Sequence, residues 1–138
     1  MMSRVHGWPA LLAAHVEAAR AAPFAWGAHD CCTFAARWVE LAQGRANVLA
    51  AFARAHGNWA SPALAMRCLR AAGGLPAIAE RELGAPIRAA FAARGDVVLV
   101  DIDGRESLAV VVGDTAAGPG LAGLSFLPRV LWRQGWKV

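Results

Sequence analysis

The sequence predicts an α+β domain, mainly helical from residue 1 to 94 and mainly β-stranded from 95 to 138. Three observations carry this expectation. Apolar residues recur at helical spacing up to residue 94, punctuated by glycine and proline. The pattern then changes at Gly95-Asp96 to the β-branched run Val97-Val98-Leu99-Val100. Beyond it, Asp103-Gly104 is a two-residue hairpin signal between strand candidates. A chain of 138 residues forms one domain with room for a real core, and no internal repeat or low-complexity linker divides it.

Pro9 to Ala21 reads as an amphipathic helix, with Leu12, Val16 and Ala19 on one side and Glu17 and Arg20 on the other. The second helix is capped by Asp30, whose carboxylate accepts from the orphan N–H groups two or three residues on. It runs from Cys31 to about Gln43 and stops at Gly44. Phe34, Ala35, Trp38, Leu41 and Ala42 share an apolar face with Cys31, whereas Cys32 is rotated by roughly 100°. Asn47 to His56 continues helical and ends at Gly57. Ser61-Pro62, a cap followed by a first-position proline, opens a helix through Arg70 that terminates at Gly73-Gly74. Pro76 to Leu83 is a short helix closed by Gly84, and Pro86 to Ala93 a last helical turn or two. Ser107 to Val112 is the partner of the first strand and ends at Gly113-Asp114. Gly118-Pro119-Gly120 reads as a turn, followed by strands over Leu121 to Leu127 and Val130 to Lys137. The N-terminal helices are expected to pack on this small antiparallel sheet.

Composition excludes several functions. Apolar residues make up 57% of the chain and charged residues 17%, against about a quarter in ordinary domains. A surface so poor in charge suits a subunit covered in an assembly. The net charge of +4 is spread over scattered arginines, which argues against a nucleic-acid partner. Leu11 to Ala14 is too short for a signal-peptide core, and His15 and Glu17 interrupt it. No run approaches a membrane span, so the chain is expected to fold in a cytoplasm. Three cysteines, two of them adjacent, make no disulfide framework. No C-x₂-C spacing exists, so neither a metal nor another cofactor is expected, and a hairpin turn explains Asp101-x-Asp103-Gly104 without calcium.

The chemistry concentrates in Phe24-Ala-Trp26-Gly27-Ala-His29-Asp30-Cys31-Cys32-Thr33-Phe34. A thiol in the first turn of a helix feels the positive end of the macrodipole, which lowers its pKa. A nucleophile also needs a base within hydrogen-bond reach. Of the four histidines, none lies after His56, so the strand region supplies no imidazole. His29 is near in sequence but on the loop side of the cap, and His56 depends on tertiary placement. The plain alternative stays open: Cys31 and Cys32 are small buried residues, as free cysteines often are. Cys68, with Leu64, Met66 and Leu69 around it, reads as core. The tryptophans could line a glycan groove. Trp38 is better read as core, with Trp132 and Trp136 as packing or interface anchors. Asp96 and Asp114 read as turn or strand-end residues.

Trp26-Gly27, Asp30-Cys31 and Phe34 on a helix, then Gly95-Asp96-Val97-Val98 and Val110-Val111-Val112-Gly113-Asp114, resemble the NlpC-type branch of papain-like cell-wall cysteine peptidases. From Pro23 to the Trp-rich C-terminus, the chain is similar to a phage and prophage group of that type. The resemblance implies a papain-like (NlpC-type) fold with Cys31 at the nucleophile position. It also implies a catalytic histidine six residues before the glycine that closes the second strand. Counting back from Gly113 reaches Ser107, flanked by Glu106 and Leu108. For the family's third polar residue, the following strand offers Thr115 and Ser125. The implied site is Cys31, Asp30 and His29, with Ser107 where the family has histidine, and serine takes no thiol proton near neutral pH. The expected function is that of a structural component of a phage or phage-like tail tip. In that role a degenerate peptidase fold is the adaptor between hub and central fibre proteins, beside the distal tail protein, in a virion assembled in a bacterial host. The alternative is an active peptidoglycan endopeptidase or amidase that opens the wall during DNA entry, with Cys31 as nucleophile.

Overall fold

The computed structural model describes residues 3–57 and 59–138, with only the backbone at His56. The described residues form an α+β domain of five helices and a six-stranded antiparallel sheet. The helices are α1 (Trp8–Ala19), α2 (Cys31–Gln43), α3 (Val48–His56), α4 (Pro62–Ala72) and α5 (Leu75–Leu83). Their ends follow local chemistry. The Asp30 carboxylate accepts from Thr33 N–H at the start of α2, and the Ser61 hydroxyl from Leu64 N–H at the start of α4. Gly44 and Gly73 close the same helices at positive φ.

The strands are β1 (Ile87–Arg88), β2 (Val97–Ile102), β3 (Arg105–Val111), β4 (Thr115–Gly120), β5 (Gly123–Pro128) and β6 (Trp132–Trp136), in the order β1-β6-β2-β3-β4-β5. Asp103 and Gly104 both take positive φ at the β2–β3 turn, as a type I′ hairpin requires. Alternation sorts the sheet into two buried faces. Val97, Leu99, Leu108, Val110, Ala117 and Trp136 pack with Leu12, Phe34, Trp38 and Ile78 from the helices. Val98, Val100, Ala109, Val111, Ala116 and Trp132 form a second cluster on the other face.

Three segments depart from the sequence expectation, one of them the last strand, which starts at Trp132 after a 3₁₀ turn over Arg129–Leu131 rather than at Val130. Pro86 to Ala93 is not a helical turn throughout. Ile87 and Arg88 pair with Gly135 and Gln134 of β6, and only Ala89–Phe91 turn as a 3₁₀ helix. Long-range pairing overrides local propensity there. Gly118-Pro119-Gly120 is strand, and the turn falls at Leu121-Ala122, between paired Gly120 and Gly123. Proline is tolerated because Pro119 lies opposite Leu124, whose N–H is donated outward to the Arg20 carbonyl. Leu41 is also corrected: it is 42% exposed, at the margin of a face that Phe34, Ala35, Trp38 and Ala42 bury.

Trp38 is fully buried, and its indole N–H donates to the Gly95 carbonyl at 2.8 Å, tying α2 to the entry of β2. Trp38→Phe keeps most of the ring but leaves that carbonyl unpaired. The expected cost is about 1–3 kcal/mol, read from urea unfolding. Asp96 next to this entry is also fully buried and collects four donors, from Arg4, Ala93, Lys137 and Val138.

Candidate active site

The loop before α2 folds back on itself. Ala25 and His29 exchange two backbone hydrogen bonds, at 3.0 and 2.7 Å. The Asp30 carboxylate, 2% exposed, then takes three donors. Thr33 N–H reaches Oδ1 at 2.8 Å, and Gly27 N–H and the Trp59 indole N–H each reach Oδ2 at 2.7 Å. Asp30 therefore caps the helix, fixes the loop and anchors a distant tryptophan. No catalytic proton transfer is needed to explain its position.

Cys31 starts α2 and is half-buried where the helix meets β3. Its thiol is lowered from an ordinary 9.0 to about 7. The largest cause is a hydrogen bond from the Cys32 thiol, which stabilises the Cys31 thiolate. Burial opposes ionisation, the Leu108 backbone and the Ser107 side chain favour it, and the Asp30 charge opposes it. Ser107 is thus on the strand that meets the sulfur, and Asp30 resists the thiolate. Cys32 is pushed well above 9.0, since it gives its hydrogen bond to Cys31 and is itself buried. Its thiol borders an apolar cavity of about 50 Å³ walled by Val39, Val48, Phe52, Ile78 and Leu108.

Among the described residues, no imidazole is among the groups acting on Cys31. The His29 ring lies edge-on to Phe34 at 6.1 Å, and its buried Nε2 has no partner among the described residues. Burial first, then the charge of Arg37, holds it below 6.5, with Asp30 pulling the other way. His15, which sequence spacing did not single out, stacks on Phe34 at 4.4 Å and meets the Phe34 carbonyl through Nε2 at 3.1 Å. Burial is the main cause holding it below 6.5 too. The side chain of His56 lies outside the described residues. On β4, Thr115 is half-buried at the strand's start, and Gly118, Pro119 and Gly120 continue from it. A Cβ on Gly118 would lie 3.3 Å from the Leu108 carbonyl, so a side chain there would need β3 to give by a few tenths of an ångström. Ser125 is on β5 opposite Gly118.

Trp59 is the residue that sequence reading missed. Its place as a buried donor to Asp30 depends on a tertiary contact across 29 positions, and no local pattern announces it. Cys68 is buried beside it with Ala65, as expected. No group of three or more metal-ligating side chains occurs among the described residues.

Residues 3–138 match a family model described as a domain of unknown function, DUF6950. No curated protein and no solved structure matches the chain.

Proposed function

This chain belongs to the DUF6950 family, and we propose that it is a structural subunit of a phage or phage-like tail tip. In this reading it has an NlpC-type papain-like fold, keeps the nucleophile position at Cys31, and joins hub to central fibre proteins beside the distal tail protein. One observation supports it: the sulfur meets the strand bearing Ser107, and among the described residues no imidazole is among the groups that act on it. A thiolate can attack a carbonyl without a base, but amide cleavage also needs a proton delivered to the departing nitrogen. The low charged fraction, 17%, fits a surface covered by neighbours.

The test is made in the phage. Cys31→Ala is expected to leave tail assembly and infectivity within about twofold of wild type. Loss of the whole chain should stop tails from maturing, and the protein should co-purify with hub and fibre proteins. Loss of infectivity in Cys31→Ala particles of normal shape would overturn the reading.

A second reading is favoured by the low pKa of Cys31, about 7, and by its partial exposure. In it the chain is a peptidoglycan endopeptidase or amidase acting through a preformed thiolate. Release of peptides from purified cell wall by the wild type and not by Cys31→Ala would establish it.

A further inference from the structure

We propose that Trp59 is a positioning residue for the Cys31 thiol, acting through the Asp30 carboxylate that it clamps. The inference rests on reading Cys31 as the nucleophile position, and it adds a residue that no sequence motif marks. The indole N–H is 2.7 Å from Asp30 Oδ2, and Gly27 N–H is equally close to the same oxygen. Thr33 N–H holds the other oxygen, so the carboxylate has no freedom to rotate. Trp59 is itself fixed. It is 7% exposed, packs with Ala65 and Cys68, and meets Phe52 edge-on at 5.1 Å. The two loops are also pressed together. Gly27 takes φ +76°, and a Cβ there would lie 3.3 Å from Ala60 Cα. Trp59 and Ala60 thus hold the loop and the carboxylate next to Cys31 in place.

The electrostatic consequence follows from the groups around the sulfur. From its own element, Asp30 and Cys32 act on it, and from β3 the Ser107 side chain and the Leu108 backbone. Arg37, His15 and His29 act on one another and are not among these groups. Among the described residues Asp30 is the one formal charge in the set, and it opposes the thiolate. Three donors spread that charge. Removing the indole N–H concentrates it and makes Cys31 harder to ionise.

The experiment uses the full chain and follows iodoacetamide alkylation of the Cys31 peptide by mass spectrometry across pH 5.5–10. Trp59→Phe removes the N–H and is expected to raise the midpoint by about half a unit, a roughly threefold slower reaction at pH 6.5. Asp30→Asn is expected to lower it. Trp59→Phe added to Asp30→Asn should leave the midpoint where Asp30→Asn alone puts it, because the route is then gone. Trp59→His, which restores a ring N–H, should move the midpoint back toward wild type. A folded Trp59→Phe with an unchanged midpoint overturns the proposal, and so does an equal shift in both backgrounds. If Trp59→Phe does not fold, Asp30→Asn decides alone, and a midpoint that fails to fall overturns it. A wild-type midpoint near 9 would end the proposal together with the reading of Cys31. That outcome is separate, because it appears before any variant is made.

Discussion

Asp96→Ala is expected to remove about 3–5 kcal/mol of stability, the range for stripping one partner from a buried ion pair. The carboxylate is fully buried. Its Oδ1 accepts from Arg4 Nη2 at 2.8 Å and from Val138 N–H at 3.2 Å. Its Oδ2 accepts from Ala93 N–H at 2.9 Å and from Lys137 Nζ at 3.1 Å. One side chain therefore joins the segment before α1, the segment after β6 and the entry of β2. Alanine would leave two cations facing each other across a void, with two backbone donors unpaired. Of the two, Arg4 is the better sheltered: its side chain is 18% exposed against 44% for Lys137. Arg4→Ala should therefore cost more than Lys137→Ala, and both less than Asp96→Ala. The check is the urea midpoint of each variant at pH 7. A loss under about 1 kcal/mol for Asp96→Ala would show that the clasp is ornamental to folding.

Cys32→Ala is expected to raise the Cys31 midpoint from about 7 toward the ordinary 9.0, because it deletes the largest cause of the depression. Burial and the Asp30 charge, both opposing ionisation, are then offset only by the Leu108 backbone and Ser107. A two-unit rise would cut the thiolate present at pH 7 from about half to about 1%, and labelling by roughly fiftyfold. An unchanged midpoint would transfer the activation to the helix end itself.

The pair also sets a pH dependence of stability. The folded pKa of Cys31 lies below its ordinary value, so its contribution is present above 9.0 and is lost as pH falls through about 7. Cys32 is raised, so its contribution is present below 9.0 and is lost as pH rises through its elevated value. Between 7 and 9.0 the unfolded chain holds both protons and the folded chain one, and stability should climb with pH. Above 9.0 the unfolded chain has released both while Cys32 keeps its own, and stability should fall. Cys31→Ser should flatten the rising limb in urea titrations run at successive pH values.

Much of the helical half was legible because its signals are local. Asp30 and Ser61 are capping side chains, Gly44 and Gly73 end helices at positive φ, and α2 spans Cys31–Gln43 as the spacing predicts. The Asp103-Gly104 hairpin was equally plain. Pro86 to Ala93 misled because its conformation is set by pairing with β6, far along the chain, and Gly118 to Gly120 because glycine and proline, which usually mark turns, here pair with the next strand, β5. The site divided in the same way. The position of Cys31 at the start of a helix could be read from cap and helix spacing, whereas its meeting with the Ser107 strand was expected only from the resemblance. The cause of its ionisation could not be read from either. In the fold the Asp30 charge opposes the thiolate and the His29 ring lies against Phe34.

The amino-acid order alone determined that a thiol opens α2 beneath an aspartate cap and that Ser107, not a histidine, lies on the second strand of the Asp103-Gly104 hairpin. Those are matters of backbone hydrogen bonding within a few residues and of side-chain identity. Tertiary structure alone decided that Trp59 holds Asp30, that Asp96 joins both terminal segments, and that Cys32 donates to Cys31. Each of these depends on where a buried polar group finds its partner. Burial makes an unpaired donor or charge costly, so it is the packed fold that selects the partner.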